Sequence, residues 1–155
     1  MDFGHGLMTS KIRELVQEKA PFLSLNCQTN SYNHGYNLIN RQYQRADSFS
    51  LDETEIKLAS GIKKPDFPEE LQKLRENLSA KYAWLTRGAV ETLGLCTENE
   101  FSRCPSLENE VVDPVGAGDA FCFFRSFRTR FSSSFLSLGM PSSLRQEIGT
   151  SSTFL

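Results

Sequence analysis

Long hydrophobic runs are missing from this sequence: no apolar stretch reaches the roughly 18–20 residues that a membrane-spanning helix requires. Histidine is scarce, with only His5 and His34, and no two of the four cysteines (Cys27, Cys96, Cys104, Cys122) form a C-x-x-C pair. Structural zinc needs tight ligand pairs, so no zinc is expected and the thiols are expected to be reduced and partly buried. Strong charge of either sign is also absent. A net charge of −2 over 155 residues gives no electrostatic case for binding nucleic acid. Met1-Asp2-Phe3-Gly4-His5-Gly6 lacks the basic and apolar regions of a secretory signal. With 39% hydrophobic and 23% charged residues, collagen-like, disulfide-scaffold and wholly disordered readings are set aside. A soluble, cytoplasmic, single-domain protein with no membrane partner is the expectation.

What is present is unevenly spread. Residues 1–121 carry 13 Lys and Arg against 18 Asp and Glu, whereas residues 122–155 carry Arg125, Arg128, Arg130 and Arg145 against Glu147 alone. That tail also holds nine of the eighteen serines and no lysine. A shift this abrupt marks a boundary.

Along the first part, Thr9 or Ser10 can cap a helix to about Ala20, with Ile12, Leu15, Val16 and Lys19 at helical spacing and Pro21 as the stop. Phe22 to Leu25 reads as a short buried strand, and the Asn-rich stretch Asn26 to Asn33 as turn chemistry. A helix over Tyr36 to Tyr43, a strand around Asp47 to Leu51, and a helix over Glu53 to Ala59 stopped by Gly61 follow. Pro68 opens a helix to Leu78 with Leu71, Leu74 and Leu78 on one face. Tyr82 to Thr86 reads as a strand, Arg87-Gly88 as a turn, and Val90 to Cys96 as the hairpin partner. Helices alternating with short apolar strands predict an α/β fold with a largely parallel sheet.

The segment Val111-Val112-Asp113-Pro114-Val115-Gly116-Ala117-Gly118-Asp119-Ala120-Phe121 carries the sharpest chemistry. Two glycines let the backbone pass close to a ligand, and the helix expected after Gly118 begins with unpaired amides and about half a positive charge. The amides of Ala117, Gly118 and Asp119 would then face an anion. A carboxylate at such a point suits proton chemistry: Asp119 as general base on an attacking hydroxyl, with the amides stabilising a migrating phosphoryl group. A Gly-rich turn with Asp119 as an ordinary helix-start acid is the plain alternative. The dinucleotide fingerprint fails because Phe121 stands where its third glycine belongs, which disfavours an oxidoreductase. No P-loop motif occurs, and Asp2-Phe3-Gly4 has no protein-kinase catalytic loop beside it.

Asp113 to Phe121 resembles the D-x-x-G-A-G-D-x-F signature of the ribokinase-like (PfkB) carbohydrate kinases. Leu51-Asp52-Glu53-Thr54-Glu55 resembles that family's N-x-x-E motif, and Leu85-Thr86-Arg87-Gly88 its T-x-G segment, in the family's order. Asn26 to Ser31, together with Asp2 to Gly6, looks closest to members related to heptose-phosphate kinases. The resemblance covers residues 2–121 and implies a ribokinase-like αβα sandwich of which only the carboxy-proximal part is present, without the amino-terminal half and lid. It implies Asp119 as base, Gly116, Ala117 and Gly118 as the anion hole, and Glu55 with Asp52 at Mg²⁺. Thr86, Gly88 and Asp113 would lie beside the ATP phosphates.

Asp52 stands where the family has Asn, exchanging a neutral group for a charged one, and Asp52-x-x-Glu55 also fits a helix capping box. Arg87 reads as a solvated charge, and His5, Asn33 and His34 as surface groups. Phe124, Phe127 and Phe131 lie at helical spacing, but residues 122–155 otherwise leave the family pattern for a divergent Ser/Phe/Arg-rich tail. Its expected origin is a frameshift, a splice alternative or a mispredicted gene end, and it is a candidate for disorder. The implied function is ATP- and Mg²⁺-dependent phosphoryl transfer to a sugar or sugar phosphate, weak or lost in this chain alone. The alternative is a non-catalytic fragment that binds nucleotide or a partner, as a homodimer or with a complementing chain. Transcript sequence across Phe121 tests the tail: an in-frame, family-like continuation removes the frameshift reading.

Overall fold

In the computed structural model, residues 1–96, 100–106, 118–123 and 125 are described. Helix α1 (Ser10–Lys19) starts where the Thr9 hydroxyl accepts the Ile12 amide, and it ends at Ala20. Pro21 disfavours helical backbone at that residue. The expected helix over Tyr36 to Tyr43 shrinks to α2 (Ile39–Gln42). Ahead of it, Asn30 Oδ1 accepts the amides of Tyr32 and Asn33, and Asn37 Nδ2 donates to the carbonyls of Asp2 and Gln28. Leu38, in extended backbone, is the residue from which the shortened helix starts.

Helix α3 (Glu53–Ser60) is capped by Asp52 and stops at Gly61, whose φ of 71° is the left-handed geometry that favours glycine. Helix α4 (Phe67–Asn77) has Asp66 as its cap and Pro68 in the first turn, where the missing N–H costs nothing. Its buried face, Leu71 and Leu74, is the stripe read from the sequence.

One five-stranded sheet organises these elements, in the order β1 (Ser24–Leu25), β2 (Ser48–Asp52), β3 (Tyr82–Thr86), β4 (Glu91–Leu95), β5 (Phe101–Pro105). The first three strands are parallel, and β3, β4 and β5 are antiparallel neighbours. The expected hairpin partner is therefore found, and the largely parallel sheet is extended by an antiparallel margin. Strand β5 is an addition to the elements read from the sequence. It is an exposed edge strand with Ser102 and Arg103 at its centre, so it has no apolar alternation to signal it. In β2, Ser48 to Leu51 are all buried, as befits a strand covered on both faces. Phe49, Leu51, Ile56, Leu71, Ala83 and Leu85 form the centre of the core. In β4, Gly94 lies opposite Trp84, and a Cβ there would meet the indole at 3.3 Å.

A polar hub fixes the margin beside β1. Asp2 pairs in parallel with Cys27: the Asp2 amide donates to the Asn26 carbonyl at 2.8 Å, and the Gln28 amide to the Asp2 carbonyl at 2.9 Å. The Asp2 carboxylate, 3% exposed, accepts from Gly4 N, Arg13 Nε and Tyr43 Oη at 2.8–2.9 Å. Arg13 in turn donates to Gln42 Oε1 at 2.7 Å. Burial alone would raise the Asp2 pKa, but Arg13, the Gly4 amide and the Tyr43 hydroxyl outweigh it and hold the carboxyl below its usual range. Cys27 is buried, and burial together with the Asp2 and Glu55 charges pushes its thiol up to about 12. Of the features read from the sequence, Asp113 to Ala117, Phe124, Phe127, Phe131 and the rest of the tail from residue 126 lie outside the described residues.

Asp2→Asn leaves Arg13 without its counter-charge and is expected to cost about 3–5 kcal/mol in urea unfolding. Because the folded pKa of Asp2 is depressed, its stabilisation is complete above the unfolded value of about 4 and is lost as pH falls through the lower folded value. Wild type should therefore lose stability in acid more steeply than Asp2→Asn.

Candidate functional site

Parallel strands place their carboxyl ends on one side, and loops leaving those ends are where open α/β sheets bind ligands. The chain leaves β1 as Asn26 to Thr29, β2 as Asp52 to Glu55, and β3 as Thr86 to Gly88. Asp52 and Thr86 are direct register partners across β2 and β3. The three segments thus meet at one edge because of the register, although they are far apart in sequence.

Glu55 is the buried member, at 7% exposure. The capping box is complete: Asp52 Oδ1 accepts the Glu55 amide at 2.7 Å, and Glu55 Oε2 accepts the Asp52 amide at 2.8 Å. The nearby Thr29 backbone amide favours the charged form of Glu55. Burial, then the charges of Asp52 and Asp119, nevertheless push the Glu55 carboxyl up to about 7.

Asp119 comes from a distant part of the chain. Residues 118–123 are helical, so Asp119 stands in a helical segment together with Gly118. Gly118 is exposed and Asp119 half-buried. Asp119 Oδ1 accepts from Gln28 Nε2 at 2.5 Å, and its charge acts on Glu55. Asp113, Gly116 and Ala117 lie outside the described residues.

At the end of β3, the Thr86 hydroxyl donates to the Leu51 carbonyl at 3.4 Å, and Gly88 makes the turn with φ of 54°. Arg87 is not the solvated charge that its sequence context suggests. It donates to Glu53 at 2.7 Å, pairs with Glu91, and lies 4.8 Å from the Phe67 ring centroid. Two carboxylates outcompete water because β4 and the start of α3 bring them to the same turn. His5 and His34 are exposed, as read from the sequence. Asn33 is half-buried instead, since its side chain bonds Asn30 N and Phe3 O.

Reading Asn26 to Asn33 as turn chemistry misses that Gln28 bonds Asp119 and that the Thr29 amide lies near Glu55. The available signal is position: these are the first residues beyond a parallel strand, where functional loops concentrate. Asn26 belongs with them. Its Nδ2 donates to the Ser50 carbonyl, while its Oδ1 and the Thr29 hydroxyl are buried without a partner. Buried polar atoms of this kind are uncommon and suit a site that receives donors from outside the fold.

Among the described residues, no three His, Cys, Asp or Glu side chains stand close enough to enclose a metal ion. Magnesium does not need such a cage, because it binds through one or two carboxylates with phosphate oxygens and water. Asp52 and Glu55 fit that requirement, with a third carboxylate, Asp119, whose charge acts on Glu55.

No family model matches the chain, and no curated protein matches it. Solved structures do. Phosphofructokinase-2 from Escherichia coli, in a mutant form, superposes with a TM-score of 0.61 at 13% identity, covering 77% of this chain and 38% of that one. Adenosine kinase from Schistosoma mansoni gives 0.59 at 17% identity, covering 78% and 40%. Aminoimidazole riboside kinase from Salmonella enterica gives 0.51 at 22% identity, covering 72% and 38%. The chain spans about two fifths of the length of these kinases. Strand order, helix placement and these likenesses together establish a ribokinase-like α/β fold, present in part.

Proposed function

We propose that this chain carries the phosphoryl-transfer edge of an ATP-dependent carbohydrate kinase whose acceptor is a hydroxyl of a sugar or sugar phosphate. The carrying observation is the meeting of Asp119 with Glu55 and Gln28 at the carboxyl ends of the parallel strands. Asp119 takes the proton as the acceptor oxygen bonds to the γ-phosphorus and the bond to the ADP oxygen breaks. A positioned base of this kind contributes about 10²–10⁴-fold. Gly116, Ala117 and Gly118 supply backbone amides to the migrating group, and Thr86, Gly88 and Asp113 lie beside the nucleotide phosphates. Glu55 with Asp52 would hold Mg²⁺, which supplies charge neutralisation on the phosphates when bound.

The chain spans about two fifths of the length of the kinases it resembles. Transfer depends on positioning, so activity of this chain alone is expected to be weak or absent without a complementing chain or second copy. The second reading, a non-catalytic nucleotide- or partner-binding fragment, is favoured by the capping box, which already occupies Asp52 and Glu55 structurally.

ADP release across a panel of sugars and sugar phosphates should fall about 10²–10⁴-fold in Asp119→Asn, and an unchanged rate removes the base assignment. ATP with Mg²⁺ should raise the melting temperature whether or not transfer occurs, while a purely structural fragment shows no shift. A raised carboxyl pKa acts oppositely to that of Asp2. The Glu55 contribution is complete below its unfolded value and is lost as pH rises through about 7. Stability should therefore decline between about pH 5 and 7.5 by roughly 3 kcal/mol from this group, and Mg²⁺ with nucleotide should reverse the decline. Asp52→Asn keeps the cap but removes a negative neighbour, so it should lower the Glu55 pKa and flatten that slope.

A further inference from the structure

We infer that Gln28 positions Asp119: its side-chain amide fixes one carboxylate oxygen and thereby sets how the acid faces the strand ends. The Nε2 to Oδ1 distance is 2.5 Å, between residues 91 apart in sequence. Among the described residues, that carboxylate has no other hydrogen-bond partner. Gln28 therefore anchors one oxygen of the pair.

The anchor is itself held rigidly. The Gln28 backbone amide donates to the Asp2 carbonyl at 2.9 Å, and the Gln28 carbonyl accepts from Asn37 Nδ2 at 3.0 Å. Both partners belong to the hub of Asp2, Arg13 and Tyr43. A buried ion pair thus fixes the backbone from which the amide reaches Asp119. The Gln28 side chain thus leaves a short piece of chain whose path the hub sets.

The chemistry of the anchor suits a base. A lysine or arginine at this position would orient the carboxylate but neutralise it, weakening its hold on a proton. A neutral amide orients with a single hydrogen bond and leaves the charge in place. Outer groups of this kind typically change function by about 10–100-fold when removed.

How Asp119 is held stands apart from what it does, and only the kinetic arm rests on the phosphoryl-transfer reading. With ¹⁵N-labelled glutamine side chains, the Gln28 Nε2 protons in wild type should be displaced from the free-amide position and exchange slowly with solvent. Asp119→Ala should return them to free-amide behaviour while the Gln28 backbone amide stays protected. Equal exchange in wild type and Asp119→Ala overturns the inference, and this comparison does not depend on Gln28→Leu folding. Where ADP release is measurable, Gln28→Leu should lower kcat about 10–100-fold with KM for ATP unchanged. A folded Gln28→Leu with kcat within about twofold of wild type also overturns it. If wild type releases no ADP, the amide signal alone decides whether Gln28 holds Asp119.

Discussion

The buried carboxylate of Glu55 is the constraint on which the candidate site depends. It closes the cap of α3, lies near the Thr29 amide beyond β1, and feels the charge of Asp119. Moving it would release a helix start and change the electrostatics of a second acid at once. Local helix chemistry and the site's geometry are therefore the same set of bonds. A capping box fixes Glu55 far more tightly than a solvent-exposed side chain could be fixed, because both partners are backbone amides of ordered elements. The structural and functional readings of Asp52-x-x-Glu55 are in this sense complementary: the cap supplies the rigidity that a phosphate site needs.

The Asp2 hub performs the same service one strand away. Buried ion pairs contribute little net stability, since desolvation cancels most of the attraction, but they tolerate few arrangements. Here the specified arrangement is the path of residues 26–28 along Asp2. That path determines where Gln28 and Thr29 emerge.

Much of this is legible in the sequence because it is local. Thr9, Asp52, Pro68 and Gly61 announce helix ends through their own backbone chemistry, and Tyr82 to Thr86 announces a strand through alternation. Motif order alone places Glu55 and Asp119 in one candidate site. What escapes depends on tertiary placement. Strand β5 has no buried face to pattern it, α2 starts only after Leu38, and Arg87 finds carboxylates contributed by α3 and β4. Gln28 is the sharpest case. Nothing in Asn26-Cys27-Gln28-Thr29 distinguishes a turn from an anchor until a helix 91 residues later is packed against it.

Charge at the strand ends adds a last constraint. Lys57 and Arg87 are the nearby cations, yet Glu53 engages both, at 3.2 and 2.7 Å, and Glu91 takes Arg87 as well. Asp52, Glu55 and Asp119 form no ion pair among the described residues, and burial with the Asp52 and Asp119 charges keeps the Glu55 pKa high. A free polyphosphate would meet like charge there. Under the proposed function, a nucleotide that brings its own divalent cation would instead deliver positive charge together with the anion, so the locus would favour the metal complex. In that reading Asp52, standing where the resembled kinases have Asn, would strengthen the preference, because it adds one more negative charge beside Glu55 while preserving the cap that holds it.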